Sequence, residues 1–79
     1  MDKSDMKERF GKRLYNLRKN KGVAVNVAAE LCGTTLHAWQ NYEAGKTFPQ
    51  VGTLLYIAEY FEVTTDYLLC LTDKKGRSR

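Results

Sequence analysis

The chain has 79 residues, of which 43% are hydrophobic and 11% aromatic. That composition suits one small folded domain and is too apolar for a disordered chain. A net charge of +4 and a pI near 9.2 point toward an acidic partner. No run of about 18 apolar residues provides a membrane span, and the N-terminus lacks a signal-peptide pattern.

The charge is unevenly spread. Residues 1–21 carry eight Lys/Arg against three acids, and residues 22–46 carry one against two. Residues 47–73 carry no base and four acids, and residues 74–79 carry four bases and no acid. A basic first segment fits a phosphate-facing surface. Its alternative reading is a solvated helix face bearing Lys12, Lys19 and Lys21.

The pattern predicts five short helices and no strand, with connections of a few residues. The first runs from about Met6 to Lys19, with Asp5 and Glu8 at capping-box spacing and Phe10, Leu14 and Leu17 as its apolar stripe. Gly22 separates it from a second, about Val25 to Cys32. Thr35 is a good N-cap for a third, about Leu36 to Ala44, which Gly45 ends. After the loop holding Pro49, a fourth covers about Val51 to Phe61 and buries Val51, Leu54, Leu55, Ala58 and Phe61. Thr64 caps a last helix with Tyr67, Leu68 and Leu71 inward. A domain over residues 1–73 and a mobile basic tail over residues 74–79 complete the expectation.

Within this frame the stretch VNVAAELCGTTLHAWQNYEAGK, residues 25–46, has its own logic. Ala28 and Ala29 allow close backbone approach, and Gly33 supplies the left-handed conformation of a tight helix–helix turn. Trp39 and Tyr42, three apart, face inward, leaving His37, Gln40 and Asn41 outward. That is the layout of a helix-turn-helix, whose second helix reads base edges in the DNA major groove. Cys32 and Cys70 have apolar neighbours and read as reduced thiols of a cytosolic protein, with a disulfide as the alternative. Neither forms a metal site with His37. Paired carboxylates, a Gly-rich phosphate loop and a ligand cluster are all missing, so neither a catalytic residue nor a cofactor is expected.

Four segments together resemble the phage-repressor and Cro-like, or XRE, family of helix-turn-helix domains. They are FGKRLYNLRKNKG, AAELCGTT, WQNYEAGKTFP and LLYIAEYFEVTTDYLL, in order and at the family's spacing from about Phe10 to Leu69. The resemblance implies an all-α, five-helix lambda-repressor-like fold, sequence-specific binding to double-stranded operator DNA, and usually a symmetric dimer on a palindrome. Several family positions are filled unusually. Val25 replaces the common glutamine that opens helix 2, and Ala24 replaces its polar N-cap. Leu36 stands where glutamine or arginine is frequent, and Gln50 where a hydroxyl residue precedes helix 4.

Base contacts are expected from Thr35, Leu36, His37, Gln40 and Asn41. Amide side chains can pair bidentately with adenine, His37 can bond a purine edge, and Leu36 can meet a thymine methyl. Each has a plainer alternative: His37 and Gln40 as solvent-facing residues, Leu36 as a partner-facing one. Phosphate contacts are expected from Thr34 at the helix N-terminus, from Lys46, from Arg13, which matches a basic family position, and from Lys21. By the same resemblance, Arg18 ties to Glu43 and fixes the recognition helix, a direct phosphate contact by Arg18 being secondary.

The functional expectation is therefore a Cro-sized DNA-binding transcriptional regulator, cytoplasmic and nucleoid-associated in a bacterium or encoded by a phage, with no membrane or small-molecule partner. The alternative is a prophage or mobile-element interaction module that keeps the fold without operator reading, with Val25 and Leu36 as its support. A weak homodimer is expected through helix 5 and the adjoining loop, using Tyr56, Tyr60, Tyr67, Leu69 and Leu71, with recognition helices about 34 Å apart. Its alternative is a monomer that pairs only on DNA.

Overall fold

The computed structural model describes residues 3–76. They form five helices in chain order: α1 Lys3–Lys21, α2 Val25–Leu31, α3 Leu36–Glu43, α4 Val51–Phe61 and α5 Thr65–Leu68. No strand occurs among the described residues. The all-α, five-helix expectation holds.

The ends of α1 lie further out than its sequence signals suggest. The helix starts at Lys3, so Asp5 sits in the first turn instead of at the cap. There its carboxylate faces the positive end of the helix dipole. At the other end, Gly22 adopts φ 76°, and the amides of Gly22 and Val23 bond back to the Arg18 carbonyl at 3.0 and 3.3 Å.

The core gathers Phe10, Leu14 and Leu17 of α1 with Ala28, Ala29, Cys32, Trp39, Tyr42, Ile57, Ala58, Val63 and Leu68. Trp39 is fully buried, with its ring centroid 6.3 Å from Tyr42 and 6.5 Å from Phe61. Phe10 meets Phe48 at 5.7 Å, closing the loop after α3 onto α1. Backbones approach closely at Gly11, where an added Cβ would lie 2.6 Å from the Tyr42 carbonyl oxygen and 2.8 Å from that of Glu43. Only glycine lets α1 cross the last turn of α3 this closely.

Two expectations about the C-terminal half fail. Val51 and Leu55 are exposed, at 73% and 57%, while Ile57 is fully buried. Apolar residues surround α4 on most sides, so sequence periodicity leaves its rotation ambiguous. Packing against the core selects the line Leu54, Ile57, Ala58, Phe61. Leu71 is likewise 67% exposed. The last helix stops at Leu68, and Cys70 takes a left-handed φ of 64°. The amides of Cys70 and Leu71 then close back on the carbonyls of Tyr67 and Asp66. This left-handed C-terminal turn carries Leu71 off the buried face.

Of the basic tail, Arg77, Ser78 and Arg79 lie outside the described residues. Its first part is tied to the domain, the Thr64 amide donating to the Lys75 carbonyl at 3.2 Å. Both cysteines are free thiols. Burial pushes Cys32 up to about 11.

Candidate nucleic-acid interface

The pair α2–α3 is held by a turn in which successive amides bond back to carbonyls of α2. Gly33, at φ 74°, donates to the Glu30 carbonyl at 3.2 Å, and Thr34 donates to that of Ala29 at 2.9 Å. A Cβ on Gly33 would meet nothing within 4 Å, so glycine is needed there for its backbone angle alone. Thr35 then caps α3, its hydroxyl accepting from the Ala38 amide at 3.0 Å. By contrast α2 begins at Ala24 with no side-chain cap, and Ala28 and Ala29 hold it by burial.

The far end of α3 is locked to α1 through one carboxylate. Arg18 donates from Nε to Glu43 Oε2 at 2.6 Å and from Nη2 to Oε1 at 3.2 Å. Trp39 Nε1 donates to the same Oε2 at 2.6 Å, and Arg18 Nη1 satisfies the Val23 carbonyl at 2.9 Å. The side chains of Arg18 and Glu43 are only 10% and 12% exposed. The hydrogen bond to Glu43 raises the Arg18 pKa above its ordinary value, against the opposing effect of burial. A bidentate pair of this kind fixes orientation as well as position. It also places a cation where the dipole of α3 leaves its negative end.

With both ends fixed, α3 turns Leu36, His37 and Gln40 to solvent, while Asn41 is half-buried. His37 and Asn41, one turn apart, line an open cleft of about 540 Å³ with Thr34, Thr35, Thr47, Gln50 and Thr53. Leu36 and Gln40 are exposed beside that cleft and do not line it. Thr34 Oγ1 lies 3.5 Å from the Tyr42 hydroxyl. Lys46 is exposed in the turn leaving α3, its amide bonded to the Asn41 carbonyl at 3.0 Å. Four of the nine positions expected to meet DNA therefore share one concave, hydroxyl-rich surface.

Two of the expected phosphate contacts have another occupation. Arg13 is turned into the molecule: Nη1 donates to the carbonyls of Tyr67 at 2.7 Å and Thr72 at 2.8 Å, and Nη2 pairs with Asp73 at 3.2 Å. Its guanidinium also lies 4.1 Å from the Tyr67 ring centroid. This cation caps the end of α5, a role that its match to a basic family position does not disclose. Lys21 is exposed, with Nζ 4.9 Å from the Tyr60 ring centroid, away from the cleft.

Three cleft residues escaped the sequence reading: Thr47, Gln50 and Thr53. They recur every third position across the start of α4, a polar run that could have been noticed. The N-cap Gln50 makes no side-chain cap bond, so the first amides of α4 keep their donor capacity beside the cleft. Among the described residues no group of His, Cys, Asp and Glu could hold a metal, and no helix is long and apolar enough to cross a membrane.

Residues 11–74 match the family described as helix-turn-helix domain. Among curated proteins, the chain is similar to three from Bacillus subtilis (strain 168). It is 37% identical over 60 residues to the SPbeta prophage-derived uncharacterized HTH-type transcriptional regulator YonR, covering 76% of this chain and 56% of that one. It is 37% identical over 60 residues to the HTH-type transcriptional regulator ImmR, covering 76% and 47%. It is 35% identical over 57 residues to the HTH-type transcriptional regulator AnsR, covering 72% and 49%. The chain spans about half the length of these relatives. No solved structure matches it. The matched segment contains the Gly33 turn, the capped and ion-paired α3 and its polar outer face, and with these the chain belongs to the XRE-like helix-turn-helix family of transcriptional regulators, a family of DNA-binding proteins and not of enzymes.

Proposed function

We propose that this chain is a sequence-specific DNA-binding transcriptional regulator that lays α3 in the major groove of a palindromic operator. The carrying observation is the rigid presentation of α3. Buried Trp39 and Tyr42 and the Arg18–Glu43 pair hold the helix, while Leu36, His37, Gln40 and Asn41 stand on its outer side. In this reading Gln40 and Asn41 pair with adenine edges, His37 meets a purine and Leu36 a thymine methyl, with Thr35 at the edge of the contact. Thr34, Lys46, Thr47, Gln50, Thr53 and the first amides of α4 hold phosphates. Arg13 and Lys21 lend their charge to the approach without touching the backbone.

The protein acts as a homodimer, cytoplasmic and at the nucleoid of a bacterium or of a cell carrying its phage or prophage. Each relative named above carries the name of a transcriptional regulator, which favours operator reading over an interaction module that retains only the fold. Binding to duplex DNA across a salt series tests this. Log affinity should fall linearly with log salt, and Lys46→Ala should reduce that slope by about one while weakening all sequences alike. Arg13→Ala should leave the slope unchanged and lower thermal stability instead. Absence of duplex binding at low salt, or a slope indifferent to Lys46, would remove the proposal.

A further inference from the structure

Tyr42 is placed by the core, yet its polar end is not used there. The residue is only 7% exposed, and its ring centroid lies 6.3 Å from that of Trp39. Phenylalanine would supply the same ring. What tyrosine adds is a hydroxyl, and Tyr42 also lines the cleft between α3 and the start of α4. There the hydroxyl stands 3.5 Å from Thr34 Oγ1, and either oxygen could be the donor. That separation is long for two hydroxyls, which prefer about 2.7–2.8 Å. The two groups therefore satisfy each other poorly and keep donor capacity toward a third atom.

From this geometry we propose that Tyr42 and Thr34 form a two-hydroxyl phosphate seat in the cleft, both O–H groups donating to one non-bridging oxygen of the DNA backbone. This rests on the regulator reading above and adds Tyr42 to its contacts as a direct ligand. Two oxygens 3.5 Å apart can each stand about 2.7 Å from a shared third, so the pair takes an anionic acceptor without rearrangement.

The surroundings favour an anion. No Asp or Glu lines the cleft to oppose one. Thr34 immediately precedes Thr35, the N-cap of α3, which sets the pair at the positive end of that helix dipole. Both donors are also held in advance. The Thr34 amide bonds the Ala29 carbonyl at 2.9 Å, and the Tyr42 ring is fixed in the core, so little ordering cost is left for binding. A phosphate held here would set α3 along the groove beside His37 and Asn41, which line the same cleft. Such a contact positions the readers and carries no sequence information itself.

Duplex binding by the full chain tests the seat. Tyr42→Phe keeps the ring and removes the O–H. It should weaken binding about tenfold, alike on a site selected from random duplexes and on a scrambled one, as loss of a hydrogen bond to a charged acceptor does. The salt slope should equal the parent's, because no charge is removed. The melting temperature should not fall, as it would if the hydroxyl only supported the core. Thr34→Val is the second arm and should match Tyr42→Phe. The double variant should lose less than the product of the single losses, because both hydroxyls serve one oxygen. Selected-site duplexes carrying one uncharged methylphosphonate at a time identify the phosphate: at one position the parent should lose about tenfold and Tyr42→Phe nothing further. Parent-like binding by Tyr42→Phe, a loss that tracks a lowered melting temperature, independent losses in the double variant, or no such methylphosphonate position would each overturn the seat and leave the regulator reading standing. A chain that binds no duplex at low salt would remove that reading and the seat with it.

Discussion

Glu43 receives the charge of Arg18, the indole N–H of Trp39 and the end of the α3 dipole on one nearly buried carboxylate. Removing it strands a buried guanidinium and an indole donor together. Glu43→Ala should therefore destabilise the fold by about 3–5 kcal/mol, against about 0–1 for an exposed pair. Chemical denaturation reads this directly, and an unchanged midpoint would show that the network is not formed in solution. Cys32 gives a second residue-scale test with a defined pH window. Its thiol stays neutral in the fold up to about 11, whereas in the unfolded chain it ionises near 9.0. The raised folded value means that the stabilisation is complete below about pH 9 and is lost as pH rises through about 11. The loss amounts to about 2–3 kcal/mol. Denaturation of the parent chain and of Cys32→Ala across that window should separate it from the titration of lysines and tyrosines. Parallel pH profiles would refute it.

The helices owe their boundaries to different physics, and this decides which of them could be read from sequence. Thr35 before α3 and Thr64 before α5 are hydroxyl caps, and both accept the expected amide. Gly33 and Gly45 mark turns through their left-handed φ. Such signals are local and legible. The rotation of α4 is set by packing, and the departure of Leu71 from the core by a left-handed turn at a non-glycine residue, Cys70, neither of which one strand of text announces. Gly11 belongs to that second class: nothing in its neighbourhood announces that α3 crosses it. Gly11→Ala should force the last turn of α3 outward and cost about 1–3 kcal/mol, despite alanine's better helix propensity. Thr35→Ala should cost about 1 kcal/mol, and Ala24→Ser should return a similar amount to the uncapped α2. Thermal melts rank the three, and a Gly11→Ala variant more stable than the parent would contradict the close α1–α3 crossing.

Across the whole molecule, charge and surface character divide by element. The basic first helix, the polar outer side of α3 and the base-free segment after it were visible in the order of residues. Their spatial meaning was not. Arg13, expected among the phosphate contacts because it matches a basic family position, instead holds the carbonyls at the end of α5. Thr47, Gln50 and Thr53, which were not among the expected DNA contacts, share a cleft with His37 and Asn41. Folding sorted these residues by which partners they could reach, and a lysine or arginine near an orphan carbonyl is a better guide to that than charge alone. The central claim is that His37 and Asn41 read bases from this cleft. It is tested most directly by selecting a site from random duplexes, then measuring His37→Ala and Asn41→Ala on the selected site and on a scrambled one. Each substitution should cost about 1–3 kcal/mol on the selected site and almost nothing on the scrambled duplex. Equal losses on both, or no enriched site at all, would contradict the account.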